Sequence, residues 1–324
     1  MPDTYTGAAA SSLDQTAYDL AIYYALRPEL YWDPVATVRS TNQSFAGSAV
    51  VFTIQSDLSA ATTTLAESSD VSAVAMSDSQ VTVTLQEYGN AVITTALIRG
   101  TTFIPFDPIV ADVVGFNAGI SLDGIARNTA QAGSNVYYAD PSADTLSSVT
   151  TARNQITPNC LYRAAYARNM AAKLRGASVR PINGYYVAYI HPDVAYDFRN
   201  QTGTNTWTDP HTYSAPDGIW QGEIGAFSGI RYVETPRAPL FADAGSSTTL
   251  TDVYATIHVG KEAIAKAYSY TDGNGPLPSL VAGPITDKLR RQQPFGWYWL
   301  GGYARFREAA IRRIETASSI GVNS

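Results

Sequence analysis

Two adjacent stretches decide the architecture: Val81–Thr95, VTVTLQEYGNAVITT, and Asp107–Asn128, DPIVADVVGFNAGISLDGIARN. In the first, Val81, Val83 and Leu85 alternate with Thr82, Thr84 and Gln86, the period of a strand with one wet face. Gly89 and Asn90 read as a turn, after which Val92 to Thr95 extends again. In the second, the period lengthens to that of a helix. Asp107 is placed as the N-cap, Pro108 suits the first helical position, and Ile109, Val113, Phe116, Ile120 and Asp123 trace one line along about 20 residues. A polar strand running into one long helix is a mixed α+β pattern.

Upstream, Val50 to Ile54 is a β-branched and aromatic run that pairs naturally with Val81–Leu85. Some two dozen Ser, Ala, Thr and acidic residues separate them, so residues 39–100 predict an extended, hairpin-like ribbon too thin to be stable alone. The first 38 residues read as an arm. Ser12 with Gln15 makes a capping box, and Leu13, Ala17, Leu20, Ala21 and Tyr24 recur at helical spacing before Arg27 and Pro28. A helix that short is marginal in water, so it must dock on its own chain or on another.

Downstream, residues 129–155 are polar and turn-rich and read as loop. A second helix is expected from Thr157 and Pro158 to Gly176, with Cys160, Ala164, Ala167, Ala171 and Leu174 as its apolar stripe and Cys160 as a core thiol. Tyr185–Ile190 predicts a strand, with Asp193 capping a short helix to Arg199. Asp217 starts another short helix through Trp220, Gly225 and Gly229 bracket a turn, and Ile230–Thr235 and Val253–Val259 are strands. Residues 271–284, rich in Gly and Pro, mark a loop or boundary, and Phe295–Ile314 reads as long aromatic strands.

The chain has 324 residues, 45% hydrophobic but only 15% charged, with one Cys and a net charge of −6. That length allows two domains, or one with a large arm, and a core that needs neither disulfide nor metal. An ordinary domain is about 25% charged. Economy in charge fits either a surface covered by partners or a globular protein with a Thr-rich exterior. Charge is also segregated: four basic residues face fifteen acidic ones up to residue 150, and eighteen face thirteen beyond it. Residues 40–98 hold no Lys or Arg but carry Asp57, Glu67, Asp70, Asp78 and Glu87. Such a segment cannot track a phosphate backbone, but it can lie on the basic half of a neighbouring copy. These five acids are the candidate inter-subunit contacts; the alternative is a solvated acidic loop. No signal peptide and no apolar run of membrane-spanning length is apparent, so folding in a cytoplasm is expected.

The search for chemistry returns little. His191, His211 and His258 form no HExxH, and with a single Cys no zinc site is expected. The phosphate-binding glycine patterns are missing, Ser228 in GAFSG is not a nucleophile elbow, and the sequons at Asn42 and Asn200 matter only in a secreted chain. His191 with Asp193 is either a dyad fragment or a helix start, and Glu223 with Glu234 pair only if the fold joins them. Trp297, Trp299 and Tyr303, followed by Arg305, Arg307, Arg312 and Arg313, suit base stacking or, better, a strand packed on the long helix. No catalytic, cofactor or metal residue is assigned.

The order of parts resembles the major capsid proteins of tailed bacteriophages, the Hong Kong 97 fold, in the branch typified by the phage N-four coat protein. Four segments carry the resemblance: VTVTLQEYGNAVITT (81–95), similar to a second ribbon strand with its Glu-Tyr-Gly turn; FNAGISLDGIARN (116–128), similar to the end of a spine helix; and AYIHPDVAYDFRN (188–200) with GEIGAFSGIRYVETPRAP (222–239), similar to segments of an axial domain. The resemblance implies an N-terminal arm (1–38), an extended β-loop lying over a neighbouring subunit (39–100), a peripheral domain with spine helix (101–155), an axial domain (156–276) and a C-terminal return to the peripheral domain (277–324). It implies pentamers and hexamers that close an icosahedral head around double-stranded DNA without sequence-specific binding or membrane, with separate scaffold and portal proteins and room for a decoration protein. Assembly is expected in the host cytoplasm. Some relatives weld subunits through a loop Lys; residues 40–98 have none, so no cross-link is expected. The short arm predicts that no N-terminal segment is removed. The rivals are an encapsulin-type shell, usually with a shorter loop, and an enzyme with a diffuse polar site around His191.

Overall fold

The computed structural model describes residues 31–41, 49–55, 73–102, 106–141, 150–202, 223–269, 276–282 and 291–320, with single positions between 58 and 71 and Leu289. The helices expected at Ser12–Tyr24 and Asp217–Trp220 lie outside the described residues. The strands are β1 (Thr37–Thr41), β2 (Ala49–Gln55), β3 (Asp78–Thr84), β4 (Gln86–Thr95), β5 (Val136–Tyr138), β6 (Tyr186–Ile190), β7 (Glu223–Phe227), β8 (Ile230–Glu234), β9 (Leu240–Phe241), β10 (Val253–Val259), β11 (Ile264–Ser269), β12 (Ser279–Ala282), β13 (Gln292–Arg305) and β14 (Ile311–Thr316). The helices are α1 (Ala96–Thr101), α2 (Phe106–Gln131), α3 (Ala164–Gly176) and α4 (Pro192–Arg199).

Three sheets result. A seven-stranded sheet runs β5-β14-β10-β6-β8-β7, with β9 also on β10. Strands β6 and β10 are buried along their whole length, which is why YVAYI and VYATIHV carry almost no charge. The β7–β8 hairpin turns through Ser228 and Gly229, at φ 54° and 82°. Two successive left-handed residues match a type I′ turn, which favours Gly in the second place. A five-stranded sheet runs β1-β11-β13-β12, with β4 also on β13. The two-stranded ribbon β2–β3 pairs Ala49 with Thr84 through to Gln55 with Asp78.

The long helix lies on the five-stranded sheet. Val110, Val114, Ala118 and Leu122 bury against Trp297, Trp299 and Tyr268, and Trp297 donates its indole N–H to Asn117 Oδ1 at 2.9 Å. The aromatic run before Arg305 is therefore packed strand. The buried stripe stands one to two residues on from the line expected through Ile109, Val113, Phe116, Ile120 and Asp123, of which the first four are half-buried and Asp123 is buried. The helix is apolar on more than one flank, so pattern alone does not choose the buried one. Asp107 also falls inside the helix rather than ahead of it, and the end comes at Gln131 instead of Asn128. Moreover, an 18-residue stretch within Ile109–Gln131 reaches a mean hydropathy of 1.4, long and apolar enough by composition to cross a membrane, so the expectation that no such run exists is corrected.

Other expectations shift as well. Gly89 and Asn90 are no turn: β4 passes straight through them, paired with Tyr298 and Trp297. Gly89 is needed because a Cβ there would sit 2.8 Å from the Trp297 carbonyl oxygen. The segment read as loop from 129 to 155 contains β5, in parallel register with β14. The second helix starts at Ala164; Thr157–Cys160 is a turn, and Cys160 is a buried free thiol. Gly225 lies within β7, beside a bulge, and β12 lies inside the Gly- and Pro-rich 271–284 segment. The C-terminal strands divide: β13 joins the five-stranded sheet, while β14 joins the seven-stranded one.

Residues 31–35 knot the two large sheets to α2. Trp32 is fully buried and stacks on Tyr189 of β6, centroids 4.0 Å apart. Asp123 Oδ1 accepts from the backbone N–H of Tyr31 at 3.0 Å and of Trp32 at 2.5 Å, while Tyr189 donates its hydroxyl to the Tyr31 carbonyl at 2.7 Å. Next along, Asp33 Oδ1 takes Lys266 Nζ of β11 at 2.6 Å and the Tyr303 hydroxyl of β13. Burial raises the Asp123 pKa, partly offset by the two N–H donors and by Arg237. Below the seven-stranded sheet, the Tyr162 hydroxyl meets both the Tyr232 hydroxyl and His258 Nε2 at 3.0 Å. Burial drives the His258 pKa down to about 3.

Removing the Asp123 carboxylate strands two buried N–H groups, so Asp123→Ala should cost the unassembled chain about 2–4 kcal/mol in urea unfolding. Asp123→Asn keeps a carbonyl oxygen in place and should cost less than half as much. For His258, the folded pKa lies below the unfolded value of about 6.5. Its contribution to stability is therefore complete above pH 6.5 and is lost as pH falls toward 3. His258 alone should take about 1.4 kcal/mol per unit from stability between pH 6 and 5, His191, whose pKa burial also lowers, should add to the fall in the same window, and His258→Asn should reduce the slope without abolishing it. Glu308, whose pKa is held below the usual value by Ser134 and Arg305 against its burial, enters only at lower pH.

Candidate assembly surface

The ribbon is rooted and then left bare. Phe52 and Val83 are buried against Ala265 and Ala267 of β11, and Phe52 meets the Phe306 ring at 5.6 Å. Gly302 permits this approach, since a Cβ there would run into the Thr84 carbonyl. Beyond the root, Leu58, Val71, Val74 and Met76 are 55%, 61%, 64% and 65% exposed. Four large apolar side chains held that open on one projection make it the candidate contact surface.

Glu67 and Asp70 lie along this bare segment, Asp78 begins β3, and all three are exposed. Glu87 is exposed too but belongs to β4, opposite Leu300, and so sits on the five-stranded sheet rather than the ribbon. Asp57 lies outside the described residues. Among the described residues, none of these acids is in an ion pair, whereas several cations of the body are used internally. Arg153 and Arg313 both clasp the buried Glu315, at 2.7 and 3.0 Å, Lys266 holds Asp33, and Arg305 holds Glu308. Positive charge that stays at the surface gathers past the C-terminal end of α3. Arg175, Arg180 and Lys261 are exposed there, the Lys261 N–H donates to the Arg180 carbonyl, and Arg307 donates to the carbonyls of Ala177 and Ser178. Acidic projection and basic body are separate surfaces of one chain.

A second apolar surface lies on the five-stranded sheet, on the side away from α2. Ala91, Val281, Pro294, Gly296 and Tyr298 line an open trough of about 610 Å³, beside Ile93, which is 61% exposed. Glycines at 89 and 296 keep its floor low.

The residues considered for catalysis do not converge. The His191 ring, not the Asp193 carboxylate, caps α4: Nδ1 accepts from the Asp193 N–H at 3.3 Å. The Asp193 carboxylate takes the Tyr254 hydroxyl at 2.8 Å and lies 3.3 Å from His191 Nδ1. Burial lowers the His191 pKa despite that carboxylate, so the ring works as a neutral acceptor. Glu234 lines a separate cleft with Tyr196, Arg199 and Asn200, and Glu223 pairs in register with Val233. Among the described residues no group of His, Cys, Asp and Glu is arranged to hold a metal ion. His211 lies outside the described residues. The Tyr162–Tyr232–His258 cluster, which no sequence spacing announces, is sealed in the core.

The family described as phage capsid protein matches residues 30–323. No curated protein sequence matches the chain. Solved structures do. The capsid of Ralstonia phage GP4 superposes with a TM-score of 0.72 at 13% identity, over 90% of this chain and 92% of that one. The capsid asymmetric unit of cyanophage Pam1 gives 0.67 at 13%, over 89% and 90%. The acid-stable capsid of Helicobacter pylori bacteriophage KHP30 gives 0.63 at 11%, over 90% and 92%. At such identities the superpositions speak to fold, and the fold is the Hong Kong 97 type.

Proposed function

This chain belongs to the phage capsid protein family, and we infer that everything it does is done by self-association. It is a major capsid protein of a tailed-phage head, a structural component of an icosahedral shell. The family match over nearly the whole chain carries this reading, and the bare ribbon supports it, because its apolar side chains are covered only when another molecule lies against them.

In our reading the copies form pentamers and hexamers in the host cytoplasm and close around double-stranded DNA without gripping it. The ribbon lies over a neighbouring subunit, with Asp57, Glu67, Asp70 and Asp78 facing that neighbour's cations and Glu87 contributing from the sheet. Residues 1–38 act as the arm, 39–100 as the extended loop, 101–155 as the peripheral domain, 156–276 as the axial domain and 277–324 as the return. Scaffold and portal are separate proteins, and the shell leaves room for a decoration protein. The N-four-type placement rests on the sequence resemblance. Against an encapsulin stands the length of the ribbon, with 22 residues between β2 and β3. Against an enzyme stands the use of His191 as a helix cap.

Light scattering and negative-stain microscopy of the purified chain should find capsomers or closed shells of megadalton mass; a chain that stays monomeric when concentrated and mixed with candidate scaffold would refute the reading. Replacing Glu67, Asp70 and Asp78 together by Lys should cut shell yield at least tenfold while leaving the monomer's melting temperature unchanged. Wild-type assembly should weaken with added salt, because exposed charges are screened within about 8 Å at 0.15 M. Boiled particles should run as a single 34.8 kDa band, since the ribbon has no Lys to form a cross-link.

A further inference from the structure

Strand β4 has a neighbour on one side only among the described residues. That neighbour is β13, in unbroken register from Gln86 opposite Gly301 to Thr95 opposite Gln292. One residue on, the Ala96 N–H donates to the Arg291 carbonyl, which fixes the phase of the ladder. Gln86, Tyr88, Asn90, Val92 and Thr94 turn their N–H and C=O groups to β13, and Glu87, Gly89, Ala91, Ile93 and Thr95 turn theirs outward. The Ala91 N–H accords with this, since the chain's own Asn90 side chain takes it at 2.9 Å. Nothing blunts this edge. Gln86–Thr95 has no Pro, no Lys and no bulge, and Ala91, Val92 and Ile93 are exposed, Ile93 by 61%.

The edge is complementary to itself. Paired antiparallel about a two-fold axis at Ala91, its outward groups meet in phase: Ala91 faces Ala91, Ile93 faces Gly89 and Glu87 faces Thr95. Side chains alternate between faces, and Gly89, Ala91 and Ile93 share the trough face with Tyr298, Gly296 and Pro294. Each Ile93 then lies over the glycine-floored trough of the other copy, and the two troughs join into one apolar strip. Charge agrees as well. Glu87 is the only charged residue of β4, and antiparallel pairing brings it to the end of the other copy where Arg99 bonds Thr94 and Arg291 follows on β13.

We infer that the open edge of β4 is a two-fold contact, at which a second copy of this chain adds its own β4 and continues the five-stranded sheet across both subunits. This goes beyond the capsid reading, because it uses a surface apart from the ribbon and needs a second copy rather than a shell. One strand pair buries less than the roughly 1,200 Å² of a stable complex, so free chains make the contact transiently and repetition strengthens it in an assembly.

Trapping is therefore the test. Full-length, unassembled Ala91→Cys is oxidised at high concentration, with Cys160 buried and silent. Facing Cα atoms at the axis are about 5.5 Å apart, within disulfide reach. Ile93→Cys is the collision control, since each Ile93 stands about 13 Å along the pair from its own copy. Ala91→Cys should form covalent dimers at least tenfold faster than Ile93→Cys, and adding Ile93→Lys to Ala91→Cys should remove that advantage. Rates within twofold of each other would overturn the inference, as would faster dimers from Ile93→Cys. If Ala91→Cys lowers the melting temperature, an equimolar mixture of Asn90→Cys and Val92→Cys chains, which face each other in the same register, is compared with either chain alone under the same criteria. Shell formation by the parent chain is scored separately. Shells with equal rates sink the edge contact alone, and the expected rates without shells sink the capsid reading alone.

Discussion

A carboxylate and an indole hold this molecule together. Asp123 has one cation in reach, Arg237 at 3.8 Å, and its burial is compensated mainly by two backbone N–H groups of an incoming strand of chain. Those N–H groups belong to Tyr31 and Trp32, so satisfying the carboxylate places the Trp32 ring against Tyr189 and delivers Asp33 to Lys266 and Tyr303. A buried carboxylate without hydrogen bonds is too costly to persist, and a buried Lys is no cheaper. Each polar group is thus solvated by the next, across α2, β6, β11 and β13. The five residues 31–35 therefore fix the position of one large sheet against the other.

That fixity gives the ribbon its meaning. Its root is clamped by Phe52 and Val83 on a sheet already locked to the body, while the segment beyond it makes few contacts of its own. Leu58, Val71, Val74 and Met76 stand in water on the single chain, so a surface laid against them would gain the free energy of covering them. Low overall charge follows from the same economy. Within the body Arg153 and Arg313 pair with Glu315, Lys266 with Asp33, Arg237 with Asp123 and Arg305 with Glu308, while Glu67, Asp70 and Asp78 along the projection are in no ion pair among the described residues.

Sequence patterns reached the elements that obey a single rule. The alternation at Val81–Leu85, the fully apolar β10 and the helical period after Pro108 are local signals, and each element is present. What failed needed a tertiary fact. Gly89 and Asn90 looked like a turn because turns and close strand approaches ask for the same residue, and only the Trp297 carbonyl reveals which applies. Strand β11 went unread because Lys266 interrupts a run of Ala and Ile, and a Lys there makes sense only once Asp33 is known to face it. The stripe of α2 was displaced by one to two residues because the helix has two apolar flanks. His191 capping in place of Asp193 is a choice between two adjacent acceptors that Tyr254 decides, by binding the carboxylate. For the assembly surface, charge segregation was legible and the bare apolar residues were not, since Val71, Val74 and Met76 share no period with one another.

The chain crosses between its two large sheets more than once, and the crossings differ in kind. At the start, residues 31–37 pass from the Trp32 pocket beside β6 into β1, held by side-chain hydrogen bonds. Near the end, Phe306–Ala310 carries β13 into β14 through a short helical turn, with Glu308 receiving both Ser134 and Arg305. Because β13 is the hub of one sheet, β14 lies next to the central strand of the other, and β10 also passes directly into β11, neither sheet can shift without straining all of these crossings. The ribbon root on β11 and β13 is thus continuous with the body at several points, most directly through residues 260–263, which carry β10 of one sheet straight into β11 of the other.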